Sequence, residues 1–101
     1  MIGLIVEGAD LYDGSGGLPV RTDLALVDDK IVLIGDLSER DAHERVDGRG
    51  LALAPGFIDV HSHSDELWLA NPRCDSKIVQ GVTTEIGGNC GSSVAPLSVA
   101  A

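Results

Sequence analysis

The sequence predicts an α/β chain in two parts: a β-rich segment over residues 1–54, then a strand–helix–strand unit from residue 55 onward. Three observations carry that expectation. Short apolar runs separated by Gly- and Asp-rich turns fill the first half. The character of the chain changes at Pro55-Gly56. Beyond that point an apolar run, a helix-compatible stretch and a second β-branched run follow one another.

In the first part, Leu4 to Val6, Asp23 to Val27 and Lys30 to Ile34 read as strands, and Asp28-Asp29 supplies turn chemistry for a hairpin between the last two. Asp13-Gly14-Ser15-Gly16-Gly17 before Pro19, and Gly35-Asp36, mark loops. Asp47-Gly48-Arg49-Gly50 marks another, ahead of Leu51-Ala52-Leu53-Ala54. In the second part, Phe57 to Val60 has the uniform apolarity of a strand buried on both faces, as in a parallel sheet, and is expected to run on to His63. Asn71-Pro72 opens a helix near residues 73–80, because proline is tolerated in a first turn, and Gly81 stops it. Val82 to Ile86 is the second strand. A βαβ unit requires parallel strands and a right-handed crossover, so 57–63 and 82–86 are expected side by side. Gly87 to Gly91 is then the loop leaving the second strand, which puts Cys90 at that strand's C-terminal end.

A chain of 101 residues has room for one small core. Lys+Arg 7 against Asp+Glu 16 gives a net charge of -9, which repels phosphate backbones and anionic headgroups; nucleic acid and membrane partners are excluded on that ground. Gly3 and Glu7 break the apolar start, and no basic n-region precedes it, so no export signal is expected and the location is cytoplasmic. In that compartment Cys74 and Cys90 are free thiols or metal ligands rather than a disulfide.

His61 and His63 are the sharpest feature. On a strand, side chains at i and i+2 leave the same face about 6.6 Å apart, so two imidazoles reach one metal. Asp59 shares that face, while Ile58, Val60 and Ser62 point toward covering helices. A His-x-His alone also suits a pair of loop-proximal polar residues, but both histidines end an apolar strand, and ligands in parallel α/β folds gather beyond strand C-termini. Cys90, ending the neighbouring strand, brings a thiolate to the imidazoles, a donor set that suits zinc; the plainer reading is a small residue in a glycine-flanked turn. Cys74 reads as incidental packing, His43 as a solvated surface residue and Trp68 as core or pocket wall.

Pro55-Gly56-Phe57-Ile58-Asp59-Val60-His61-Ser62-His63 resembles the first barrel strand of the amidohydrolase superfamily, and the segment before it is similar to that superfamily's N-terminal sandwich strands. A longer run resembles the N-acyl-D-amino-acid deacylases, or D-aminoacylases: Ser64-Asp65, Asn71-Pro72-Arg73, Ser76-Lys77, Gln80 to Glu85, Gly88-Asn89-Cys90-Gly91 and Ala95-Pro96. The resemblance implies an N-terminal β-sandwich portion over 1–54 and, over 55–101, the start of a TIM-like barrel that stays incomplete, since a whole barrel takes about 250 residues. It implies a Zn2+ cofactor held by His61 and His63, with Cys90 ligating or bridging where many relatives use a modified lysine. The substrate it implies is a small N-acyl-D-amino acid, cleaved at its amide bond by metal-activated water. The family's two later histidines and its acid/base aspartate have no counterpart here, so the 101 residues are expected to be an N-terminal fragment, inactive alone. Another amidohydrolase, of the dihydroorotase, hydantoinase or deaminase kind, would share the histidine motif but not the Cys90 loop. A non-catalytic metal-binding fragment is the remaining alternative.

Overall fold

The computed structural model describes residues 1–95, and the chain divides into two compact units, Met1–Pro55 and a second from Gly56 onward. The end of the expected second domain, 96–101, including Pro96, lies outside the described residues.

The first unit is a five-stranded mixed sheet of β1 (Ile2–Leu11), β2 (Val20–Val27), β3 (Lys30–Gly35), β4 (Ala42–Asp47) and β5 (Ala52–Leu53). The order β3-β2-β1-β4 has β1 at its centre, antiparallel to β2 and parallel to β4, with β5 also parallel to β1. The strands anticipated as part of a sandwich thus form one layer, with no second sheet facing it among the described residues of this unit. β1 is longer than its apolar core suggests. It passes Gly8 by a bulge, where φ is 63°, a value glycine adopts without strain. The Asp23 carboxylate fixes that bulge by accepting the Gly8 N–H at 2.8 Å, and its other oxygen accepts the Leu37 N–H at 2.9 Å. That second bond holds Leu37 over the sheet, where it completes a buried cluster with Ile5 and Ala25. Burying a side chain the size of Ile5 contributes about 1.5–3 kcal/mol.

The second unit contains β6 (Phe57–Asp59), α1 (Leu67–Ala70), α2 (Asp75–Ile78) and β7 (Val82–Glu85), with a short 3-10 turn at Asn89–Gly91. β6 and β7 pair in parallel, with a register irregularity between Phe57 and Ile58. Three expectations need correction. The first strand stops at Asp59 instead of running to His63. The ladder closes with Ile86 N–H donating to the Asp59 carbonyl at 2.9 Å, after which the neighbouring chain turns at Gly87-Gly88. The helix is not the two-turn element expected over 73–80. Asn71 to Cys74 is a turn, only Asp75–Ile78 is helical, and a separate single turn, α1, precedes it. Finally, the apolar residues of the expected first strand are not sandwiched between layers among the described residues: Phe57, Ile58 and Val60 are 62%, 61% and 66% exposed, the only helices beside them being two single turns. Among the described residues the buried apolar ones are Ile5, Ala9, Leu24, Ala25 and Leu37, all of the first unit, whereas the second unit buries Ser62 and Asp65.

Candidate metal centre

Beyond β6 the chain bends through Val60 to Ser64, and beyond β7 it turns through Gly87 to Gly91. These two segments are laced together by polar bonds. Ser62 N–H donates to the Ile86 carbonyl at 3.3 Å, and the Asn89 side-chain amide donates to the carbonyls of Ser62 and Ile86 at 3.3 and 2.7 Å. The Asp65 carboxylate accepts the Gly88 N–H at 2.9 Å. Gly88, at φ 76°, permits the tight turn that reverses the chain toward Cys90.

His61, His63 and Cys90 meet at this junction, their donor atoms all within 4.8 Å of one another. Cys90 Sγ lies 3.4 Å from His61 Nε2, and the two imidazole rings stand edge to face with centroids 5.1 Å apart. All three side chains are exposed. Cys90 itself holds a φ of 55°, unusual for a residue with a Cβ, and in that conformation its thiol faces the imidazole of His61. The route to this arrangement differs from the one the sequence suggested. The histidines converge from a bend rather than from one face of a strand, and the bend is set by the Asp59 carboxylate, which accepts the His61 N–H at 3.2 Å.

The donor set fits a zinc ion. Tetrahedral zinc at about 2.0–2.1 Å from nitrogen and about 2.3 Å from sulfur separates its ligand atoms by roughly 3.3–3.8 Å. The thiol–imidazole distance already meets that spacing, and even the widest separation allowed requires a contraction of no more than about 1.5 Å.

Behind the histidines lies a charged network that the sequence reading did not assign. Lys77 Nζ donates to Asp59 Oδ2 at 2.7 Å and lies 3.4 Å from Glu85 Oε1. Glu85 Oε1 accepts the Ser62 hydroxyl at 2.8 Å, and Oε2 accepts the Trp68 indole N–H at 2.9 Å. The indole and Ser62 hydrogen bonds hold the Glu85 carboxyl below the ordinary carboxylate range, against the opposing effect of burial. The Lys77 ammonium does the same for Asp59, helped by the His61 N–H, and is itself raised by Asp59. Lys77 and Glu85 stood in the sequence with no periodicity to mark them, so the signal for their role is spatial. Trp68 proves to be anchored through its N–H rather than simply packed. Asp65 is buried, with one carboxylate oxygen lacking a partner among the described residues.

Cys74 lies outside the cluster. It is half-buried at the start of α2, its thiol 3.6 Å from the Asn71 carbonyl. His43 is exposed on β4 of the first unit. No helix among the described residues is long and apolar enough to cross a membrane.

The model of the amidohydrolase family, Amidohydro_3, matches residues 44–99. The chain is 50% identical over 94 residues to an N-acyl-D-aspartate deacylase of Alcaligenes xylosoxydans xylosoxydans, covering 93% of this chain and 19% of the relative. Among solved structures it is similar to the N-acyl-D-glutamate deacylase of Bordetella bronchiseptica, solved with zinc and a phosphonate inhibitor that mimics the tetrahedral reaction intermediate. Here the TM-score is 0.90 and the identity 38%, over 98% of this chain and 21% of that one. It is also similar to a D-aminoacylase described as having a binuclear metal centre, with TM-score 0.91 and identity 40%, over 100% of this chain and 21% of that one. The chain thus spans about one fifth of the length of these relatives.

Proposed function

The chain belongs to the amidohydrolase family, and on that footing we propose that its 101 residues supply part of a zinc-dependent hydrolase that cleaves the amide bond of N-acyl-D-amino acids. The observation that carries the proposal is the convergence of two imidazoles and a thiol at the C-terminal ends of two parallel strands. The likeness to deacylases over nearly the whole chain supports the choice of substrate class. In this reading residues 1–54 are strands of a β-sandwich and residues 55–101 begin a (β/α) barrel, in a cytoplasmic protein whose thiols stay reduced.

His61, His63 and Cys90 would hold the zinc. When bound, zinc supplies an acidified water and polarises the scissile carbonyl. The protein's share of the work in this segment is orientation. Asp59 fixes the His61 backbone, and Asp65 and Asn89 tie the histidine bend to the cysteine turn. The thiolate distinguishes this reading from dihydroorotase-, hydantoinase- or deaminase-like members, for which the Cys90 loop is not expected.

Hydrolysis of N-acetyl-D-amino acids against their L-enantiomers, by the protein that carries this chain, tests the proposal. Turnover is expected to be D-selective, to vanish on chelation and to return with zinc. Preference for the L-series, or activity indifferent to chelation, would contradict it.

A further inference from the structure

Resting on the reading that His61, His63 and Cys90 hold a metal, we propose that Glu85 and Lys77 are positioning residues of that centre, acting on the histidines through Ser62 and Asp59. Ser62 lies between the two histidines and is only 3% exposed. Its hydroxyl donates to Glu85 at 2.8 Å while accepting the Ser64 N–H at 3.1 Å, so one oxygen fixes the chain on both sides of His63. Glu85 ends β7, and its side chain is 8% exposed. With one carboxylate oxygen on Ser62 and the other on Trp68, it has little freedom to move. Lys77 joins this arm to a second one, because the ammonium that faces Glu85 also binds Asp59, which takes the His61 N–H. The two arms meet the histidine segment at His61 and at Ser62.

Polar bonding is well placed to set the bend here, because the second unit has no buried apolar residue among those described. A carboxylate removed from water is strongly disfavoured without partners, so removing Lys77 leaves two neighbouring carboxylates, Asp59 and Glu85, without their shared cation. Removing Glu85 frees the Ser62 hydroxyl and the indole N–H together. Either change loosens the donors' supports without touching a donor. Groups of this kind behind metal-bound histidines typically alter metal affinity about 10- to 100-fold.

The experiment is Co2+ titration of the chain against a competing chelator, with the visible spectrum recorded at saturation. Glu85→Ala and Lys77→Met are each expected to weaken Co2+ binding about 10- to 100-fold. At saturation they should shift the ligand-field bands, whereas a purely structural loss leaves the saturated spectrum unchanged. Ser62→Ala removes only the hydroxyl relay and should shift the same bands; it decides the matter if Glu85→Ala does not fold. Arg49→Ala, which removes an exposed ion pair of the first unit, should match the parent. Variants of Glu85, Lys77 and Ser62 whose saturated spectra coincide with the parent's overturn the positioning role alone. A parent with no thiolate-to-cobalt absorption overturns the metal reading, and the positioning role with it.

Discussion

Replacing Ile5 by alanine removes the one large side chain that is completely buried among the described residues, at the centre of β1. Isoleucine-to-alanine changes in cores cost about 2–5 kcal/mol, the spread reflecting how far the surroundings collapse. Here the cluster is thin: Ala25 and Leu37 are its other buried members, with Ile2 and Ala42 at its margin, under a single sheet layer. Such a site relaxes readily, which places the cost near about 2–3 kcal/mol. A folded unit of this size has only roughly 3–8 kcal/mol of stability, so the change removes a large share of it. With a urea m-value of about 1 kcal/mol/M, the midpoint should fall by about 2–3 M. The assay is urea unfolding followed by the β-sheet circular dichroism signal, with Leu18→Ala as control. Leu18 is 92% exposed, and its truncation should stay within about 0.5 kcal/mol of the parent. Equal midpoints for the two variants would mean that the core does not sit where β1 crosses Ala25 and Leu37.

Two further outcomes are expected. Asp47, hydrogen-bonded by the Arg49 side chain and backbone N–H, has its pKa lowered from 3.8 to about 2. A carboxylate depressed on folding lends stability that is complete above its unfolded value and lost as pH falls through its folded one. Arg49→Ala should therefore flatten the acid arm of the stability curve between about pH 4 and pH 2, and an unchanged acid arm would show the pair to be inert. A polypeptide of these 101 residues alone should give no turnover of an N-acyl-D-amino acid above a metal-only blank. Loss of a general acid by itself removes a factor of about 100 to 10,000, so measurable deacylation by it would refute the need for the relatives' remaining four fifths.

The histidine pair and Cys90 were legible because an apolar run ending in His-x-His, followed by a glycine-flanked cysteine after the next strand, leaves few other places for those side chains. The geometry that joins them was not. Period-two reasoning extended the strand to His63, but Asp59 captures the His61 N–H and ends it, a local competition between side chain and ladder that hydrophobic pattern does not encode. β4 is not legible in the sequence, because Ala-His-Glu-Arg-Val-Asp carries no apolar alternation. It becomes a strand through parallel pairing with β1, a contact between distant parts of the chain. Lys77 and Glu85 were visible as residues but not as partners, since eight positions and a turn separate them from each other and many more from Ser62. The helix is shorter than Pro72 and Gly81 imply, because Cys74, at φ 50°, delays its start to Asp75.

Zinc titration of Cys90→Ala and Cys74→Ala side by side tests the central claim most directly. Both thiols are free, but only Cys90 lies with His61 and His63. Cys90→Ala should lose most of the parent's affinity for zinc while Cys74→Ala binds like the parent. Equal losses in the two variants, or a greater loss in Cys74→Ala, would contradict the assignment of the centre.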